Sequence, residues 1–478
     1  MPDSTARRQP IYQTLATRLE SMVKDRSLRA GDRMPSVRHF ATQQDVSVPT
    51  ALQAYVTLET RGLIEARPKS GFYVRARQSD AVPAPQTLLG VPRITTFANT
   101  DPMASFLTDL SDPKLVPLGA AVPSSELLPG VRLARGMAAI SRKLGAESVR
   151  YDIVPGSEKL RRELARRSLE WGCALKTDDF AVTNGATEAI SIALRATCEP
   201  GDTVVVESPT YFGIARTLRE LRLNALPIPT DSVTGIDLDM LESAVKKRRV
   251  AACVLIPNFH NPVGCLMPDE HKKRLVQMLA SRGVAIIEDD IYGDLQHHGT
   301  RPRCLKAYDE DGSVILCGSY TKTLAPGYRV AYIAGGRWHE RILALLMVST
   351  LSGALLPTLA VADFLHSGGY DRYLRTLRQA FQCQVEQMRE AVVESFPEGI
   401  RLSRPQGAFM LWCELPARVD SMELYKQARA SGISIAPGPL FSPDGSFGNF
   451  IRINCGHPWN AQIERSIAVL GHLVQRMA

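Results

Sequence analysis

The sequence has no uninterrupted apolar run long enough to cross a bilayer, and its first residues, MPDSTARRQP, are polar. A spanning helix and a secretory leader are thus not expected, whereas a cytoplasmic protein without membrane contact is. No C-x-x-C pair and no histidine cluster accompany the nine cysteines. Neither a metal site nor a disulfide framework is therefore expected, only reduced and mostly buried thiols. There is no internal repeat. Net charge is also scarce outside one region. Residues 1–77 hold 13 Lys and Arg against 7 Asp and Glu, whereas residues 78–478 hold 44 against 42. A small basic unit joined to a large, nearly neutral one suits a polyanion-binding module carried on a second domain.

What is present is core-forming material for two or three globular units: 478 residues, 45% hydrophobic and 22% charged. Ile11, Leu15, Leu19, Met22 and Val23 recur at helical spacing before the break LRAGDRMPS. SVRHFATQQ reads as a second helix capped by Ser36. A turn then leads to a third helix that turns Ala51, Ala54, Tyr55 and Leu58 inward. IEARPKSGFYVRA alternates around Pro68 to Gly71 as a hairpin, which completes a winged helix-turn-helix over residues 1–77. Residues 78–97 hold three prolines and no periodicity, the composition of a short, semi-extended linker.

From residue 98 onward, β-branched runs alternate with helical stretches. DTVVVESP, VAACVLIPN, GVAIIEDD, SVILCGSY and VAYIAGG each end in polar residues. This is the pattern of an α/β domain with a mainly parallel sheet, whose strand ends carry the site. A smaller α/β part is expected from about residue 359 to 478.

The chemistry sits at those ends. Lys322 closes an apolar strand, where partial desolvation favours the neutral amine that condenses with an aldehyde. Ser319, Thr321 and Arg329 surround it with phosphate donors. Asp289 follows the Val284–Ile287 run and precedes Tyr292 by three residues, with Asp290 as the alternative carboxylate. Asn261 lies on an Asn-Pro-x-Gly turn, Gly185, Ala186 and Thr187 open a helix, and Tyr211 follows a strand. A lysine for a Schiff base, a carboxylate for a ring nitrogen, phosphate donors, partners for a phenolic oxygen and an aromatic face are together what pyridoxal 5'-phosphate requires.

Two resemblances follow from these motifs. The run GDRMPSVRHFATQQDVSVPTALQAYVTLETRGLIEARPKSGFYV resembles the DNA-binding head of GntR regulators, with Val48 where many relatives carry arginine. The resemblance implies DNA contacts by Ser36, Arg38, Ser47, Thr50 and Gln53, and by Lys69 in the wing. Residues 98–478 resemble the class I/II, fold-type I aminotransferases. That implies that Tyr151 reaches the phosphate of a neighbouring subunit and that Arg452 grips an α-carboxylate. The two together resemble the MocR subfamily of transcriptional regulators, which implies a homodimer on paired DNA half-sites. Its effector would be an amino compound or pyridoxal phosphate itself. A working aminotransferase that carries a DNA-binding head stays open as the alternative.

Overall fold

The computed structural model describes the chain except residues 1–9, 25–26, 29–31, 68–69, 76–81, 88–89, 91, 96–102 and 110–111. Two compact units form, Met1–Val82 with Glu386–Glu394, and Pro83–Val385 with Ser395–Ala478.

In the first unit, helices α1 (Ile11–Lys24), α2 (Val37–Gln43) and α3 (Val48–Thr60) precede a hairpin of β1 (Ile64–Arg67) and β2 (Gly71–Val74). Ser36 caps α2 by accepting from the His39 amide at 3.2 Å, and Ser47 caps α3 by accepting from the Thr50 amide at 3.2 Å. Tyr55 is the centre of the core. It is fully buried, packs against Phe40 and Phe72, and donates its hydroxyl to Pro35 O at 2.9 Å. Leu15 and Leu19 join this core, but Ile11, in the first turn of α1, is 62% exposed.

The second unit is built on an eight-stranded sheet. Its strands are β3 (Phe180–Thr183), β4 (Thr203–Ser208), β5 (Asn224–Asp231), β6 (Gly235–Ile236), β7 (Ala252–Leu255), β8 (Ala285–Asp289), β9 (Val314–Ser319) and β10 (Ala331–Ala334). Their spatial order is β3-β10-β9-β8-β7-β4-β5-β6. The pairs β9–β8, β8–β7, β7–β4 and β4–β5 are parallel, while β10 runs against both of its neighbours. The inner strands β7, β8 and β9 are buried along their whole length, as a sheet covered on both faces requires. A second sheet holds β11 (Arg401–Leu402), β12 (Met410–Glu414), β13 (Ala436–Pro437) and β14 (Phe450–Asn454) in the order β11-β12-β14-β13, all antiparallel.

The stretch after Pro83 is tied to this unit. Pro83 O accepts from the Leu402 amide at 2.9 Å, the Gln86 amide donates to Glu414 at 2.7 Å, and Thr95 pairs with Ala225 through both backbone groups. All nine cysteines are free thiols, eight of them buried. Among the described residues, no helix is long and apolar enough to cross a membrane.

Candidate functional site

The C-terminal ends of the parallel strands and the start of the reversed β10 surround one cavity of about 160 Å³. Lys322, Asp289, Tyr292, Asn261, Tyr211, Ala186, Thr187, Ser319, Thr321, Arg329 and Arg452 all line it. Gly185 caps α4 (Ala186–Thr197) beside them at a φ of 95°, a left-handed conformation that favours glycine. A Cβ at Gly185 would fall inside the Arg329 guanidinium, so the missing side chain makes room for that charge.

Lys322 lies just beyond β9. Its amine donates to Ala121 O at 2.7 Å. Burial, then the Arg452 and Arg329 guanidinium groups, pull its pKa down to about 8, with Asp289 opposing them. A substantial part of this lysine is therefore neutral near physiological pH.

The Glu-Asp-Asp sequence that ends β8 is sorted by strand alternation. Glu288 accepts from the Leu305 and Lys306 amides at 2.6 and 3.0 Å, and Asp290 accepts from Asn258 at 2.8 Å and pairs with Arg301. Asp289, between them, faces the cavity instead. Its Oδ1 is buried without a hydrogen-bond partner, and burial and the Asp290 charge raise its pKa to about 7. A buried carboxylate oxygen aimed into a cavity calls for a donor there, such as a protonated ring nitrogen.

Asn261 links Tyr292 to Arg452. Its amide donates to the Tyr292 hydroxyl at 3.3 Å, and its carbonyl accepts from Arg452 at 2.8 Å. Arg452 stands on β14, 1% exposed, over the Phe441 ring, with a second bond to Gly119 O at 2.6 Å. Its Nε is buried and unpartnered, and burial lowers its pKa to about 10. Across the cavity, the Ser319 and Thr321 hydroxyls lie 2.7 Å apart, Arg329 reaches Asn184 O at 3.2 Å, and the first turn of α4 opens toward them. Hydroxyls, a guanidinium and a helix N-terminus together make an anion site.

These residues fit pyridoxal 5'-phosphate. The orphaned Asp289 oxygen suits the ring nitrogen, the α4 cradle suits the phosphate, and a partly neutral lysine suits the aldehyde. Tyr151 is not brought in. It is 72% exposed and lies outside the cavity lining. Sequence reasoning missed Gly119 and the run Ala120–Val122, which contribute backbone carbonyls and small side chains. It also missed the apolar wall of Ile190, Phe212, Ile256 and Ile291. Carbonyls carry no signature in a sequence, and isoleucines inside a helix or just past a strand read only as core.

In the first unit, Ser36, Arg38, Ser47 and Gln53 are exposed, and Thr50 is half-buried with its hydroxyl 2.8 Å from that of Ser47. Lys69 lies outside the described residues.

Residues 116–470 match the family model "Aminotransferase class I and II", and residues 11–74 match "Bacterial regulatory proteins, gntR family". The chain is 35% identical to the uncharacterized HTH-type transcriptional regulator YjiR of Escherichia coli, over 97% of this chain and 99% of that protein. It is 29% identical to a 2-aminoadipate transaminase of Thermus thermophilus, over 72% of this chain and 85% of that one. Among solved structures it resembles LysN, an alpha-aminoadipate aminotransferase of Thermus thermophilus complexed with N-(5'-phosphopyridoxyl)-L-leucine. That similarity has a TM-score of 0.73 and 27% identity, and covers 78% of this chain and 95% of the other.

Proposed function

Starting from a chain that belongs to the class I and II aminotransferase family and carries a gntR-family head, the MocR-type architecture, we propose that its body senses an amino compound on behalf of its head. The protein is a GntR-type regulator fused to an aminotransferase-like domain, and the cofactor of that domain is pyridoxal 5'-phosphate. When bound, that cofactor supplies an aldehyde that captures amines and a ring that withdraws electrons from them. Lys322 holds it covalently. Asp289 keeps the ring nitrogen protonated, Asn261 and Tyr292 donate to the phenolic oxygen, Tyr211 covers the ring face, and Gly185, Ala186, Thr187, Ser319, Thr321 and Arg329 bind the phosphate.

The observation that carries the sensing reading is Arg452. A buried guanidinium with an uncommitted Nε, on the same cavity as the lysine, supports recognition of an α-carboxylate and hence of an amino acid. Such a ligand alters DNA binding only by favouring one arrangement of the protein over another.

A homodimer on paired half-sites in the cytoplasm completes the reading. Its support is the exposure of Val149, Tyr151, Ile153 and Val348 at 89, 72, 53 and 78%, apolar surface of the kind a second copy covers. There Tyr151 would reach the partner's phosphate site. Residues 1–77 then read DNA, residues 98–478 hold the cofactor, and the connection at 78–97 couples them.

The intact lysine favours a second reading. A base with a pKa of about 8 beside the cofactor site is able to move protons, so turnover as an aminotransferase is the alternative. Absorption spectra recorded over time, with pyridoxal phosphate bound and a panel of amino acids and amines added, separate the two. A band that shifts once and holds, with a matching change in DNA affinity that Lys322→Ala abolishes, supports the sensor. Repeated cycling restored by an added keto acid supports the enzyme. An Arg452→Ala variant that responds fully to pyridoxal phosphate alone would instead mark the vitamin itself as the effector.

A further inference from the structure

Helix α3 buries Ala51, Ala54, Tyr55 and Leu58 in the core of the head. Along one flank of that buried face Val48, Leu52 and Val56 are 45, 44 and 39% exposed. Four residues apart, they form one apolar stripe along the helix, on the face that a surface helix ordinarily gives to charged and polar residues. The helix, VPTALQAYVTLET, contains no lysine or arginine, so it has no side chain of the type that takes the O6 and N7 atoms of guanine. One residue on from Leu52, about a quarter-turn round the helix and three residues before Val56, stands the exposed side chain of Gln53.

In a helix-turn-helix the second helix enters the major groove and its N-terminal residues meet the base edges. The apolar group on the edges of that groove is the thymine C5-methyl, and a glutamine amide matches the N6 and N7 atoms of adenine. Val48 opens α3, Leu52 follows a turn later, and Val56 lies about 12 Å beyond Val48. We propose that Val48 and Leu52 read thymine methyl groups while Gln53 reads an adjacent adenine, so that each half-site is centred on A·T pairs. The inference rests on the head being a DNA-binding module. The occupant is DNA rather than another protein because the stripe sits in the basic part of the chain, with an excess of six positive charges over residues 1–77 and Arg38 exposed on the preceding helix.

The test uses the full chain with pyridoxal phosphate. Duplexes are selected from a random library, and the consensus is resynthesised with dU in place of each dT, which deletes one methyl at a time. Removing a contacted methyl weakens binding about fourfold, and removing the equivalent pair in both half-sites about fifteenfold, from the free energy of burying one methyl. Leu52→Ala lowers affinity for the dT duplex and erases the penalty at one dU position, whereas Val56→Ala leaves every penalty in place. All three side chains are exposed, so thermal melting should show these variants folded. Half-sites centred on G·C pairs, or a dU duplex bound as tightly as the dT duplex, overturn the inference and leave DNA binding standing. A Leu52→Ala variant that changes the sedimenting mass of the protein, with affinity blind to dU, makes the stripe a protein contact and also overturns it. Retention of no duplex even at low salt overturns the inference together with the DNA-binding reading beneath it.

Discussion

The rate at which the apo chain captures pyridoxal phosphate should follow the neutral fraction of Lys322. At pH 7 an amine with a pKa of about 8 is roughly 9% neutral, and an ordinary lysine amine is roughly 0.03% neutral, a difference of about 300-fold. Capture should therefore rise about tenfold per pH unit below 7, bend near 8 and level off above 9. The neighbours supply a test of sign. Asp289→Asn removes the group that opposes the depression, so the bend moves below 8. Arg452→Gln removes a cation that causes it, so the bend moves above 8, while Arg452→Lys keeps the charge and leaves it near 8. Stopped-flow absorption of the bound cofactor, on apo protein across pH 6 to about 10.5, measures all four curves. A wild-type bend close to 10.5, or Asn and Gln variants that move it in the same direction, would refute the reasoning.

Three further outcomes follow from the same structure. The folded pKa of Lys322 lies below its unfolded value, so the amine destabilises the apo chain below about pH 8, and the cost fades as pH rises toward about 10.5. Lys322→Met should thus stabilise the apo body at pH 7 by up to about 3 kcal/mol, less where water reaches the amine through the cavity mouth, read from chemical unfolding followed by circular dichroism. Gly185→Ala puts a methyl group where Arg329 lies and forces a left-handed backbone on alanine; equilibrium dialysis should show cofactor affinity at least tenfold weaker. Arg301 serves Asp290 and also Asp294, which Arg301 and Arg167 hold at about pKa 2 against the effect of burial. Arg301→Met takes the paired cation from Asp290, leaving it Asn258, and one of the two cations from Asp294, and should cost about 3–5 kcal/mol of stability, with Arg301→Lys recovering part of it in the same denaturation assay.

Much of this arrangement was legible because strand chemistry is local. An apolar run marks a buried strand, and the polar residues just beyond it sit where parallel strands end, which places Lys322, Asp289 and Tyr292 without tertiary knowledge. Asp290 stood as the alternative carboxylate in the sequence, and it is the structure that turns Asp290 to Asn258 and Arg301 and leaves Asp289 on the cavity. The burial of Arg452 was not legible. A strand arginine is ordinarily exposed, and this one is buried because Gly119 O and Asn261, 333 and 191 residues away in sequence, accept its hydrogens. Ala121 is a similar case, a carbonyl 201 residues from the lysine it receives. In the head, the Ser36 cap and the core position of Tyr55 were legible, whereas the Ser47 cap of α3 emerged only in the structure. The exposed Val48, Leu52 and Val56 of α3 lie outside the core of the head, and their apolar character was not legible as a need of the fold.

The reversed direction of β10 has a consequence for how the cofactor is held. Two parallel neighbours would have needed a helix-length crossover between them, and the second would have begun at the far edge of the sheet. Because β10 runs backward, the chain turns round between Ser319 and Ala331 and delivers Lys322 and Arg329 to the same rim within a dozen residues. β10 then hands its first residue to Thr183, just ahead of Gly185 and the mouth of α4. Lys322 and the residues proposed to seat the phosphate thus belong to one short hairpin and the strand beside it, whereas Arg452, proposed to grip a carboxylate, is mounted on a different sheet.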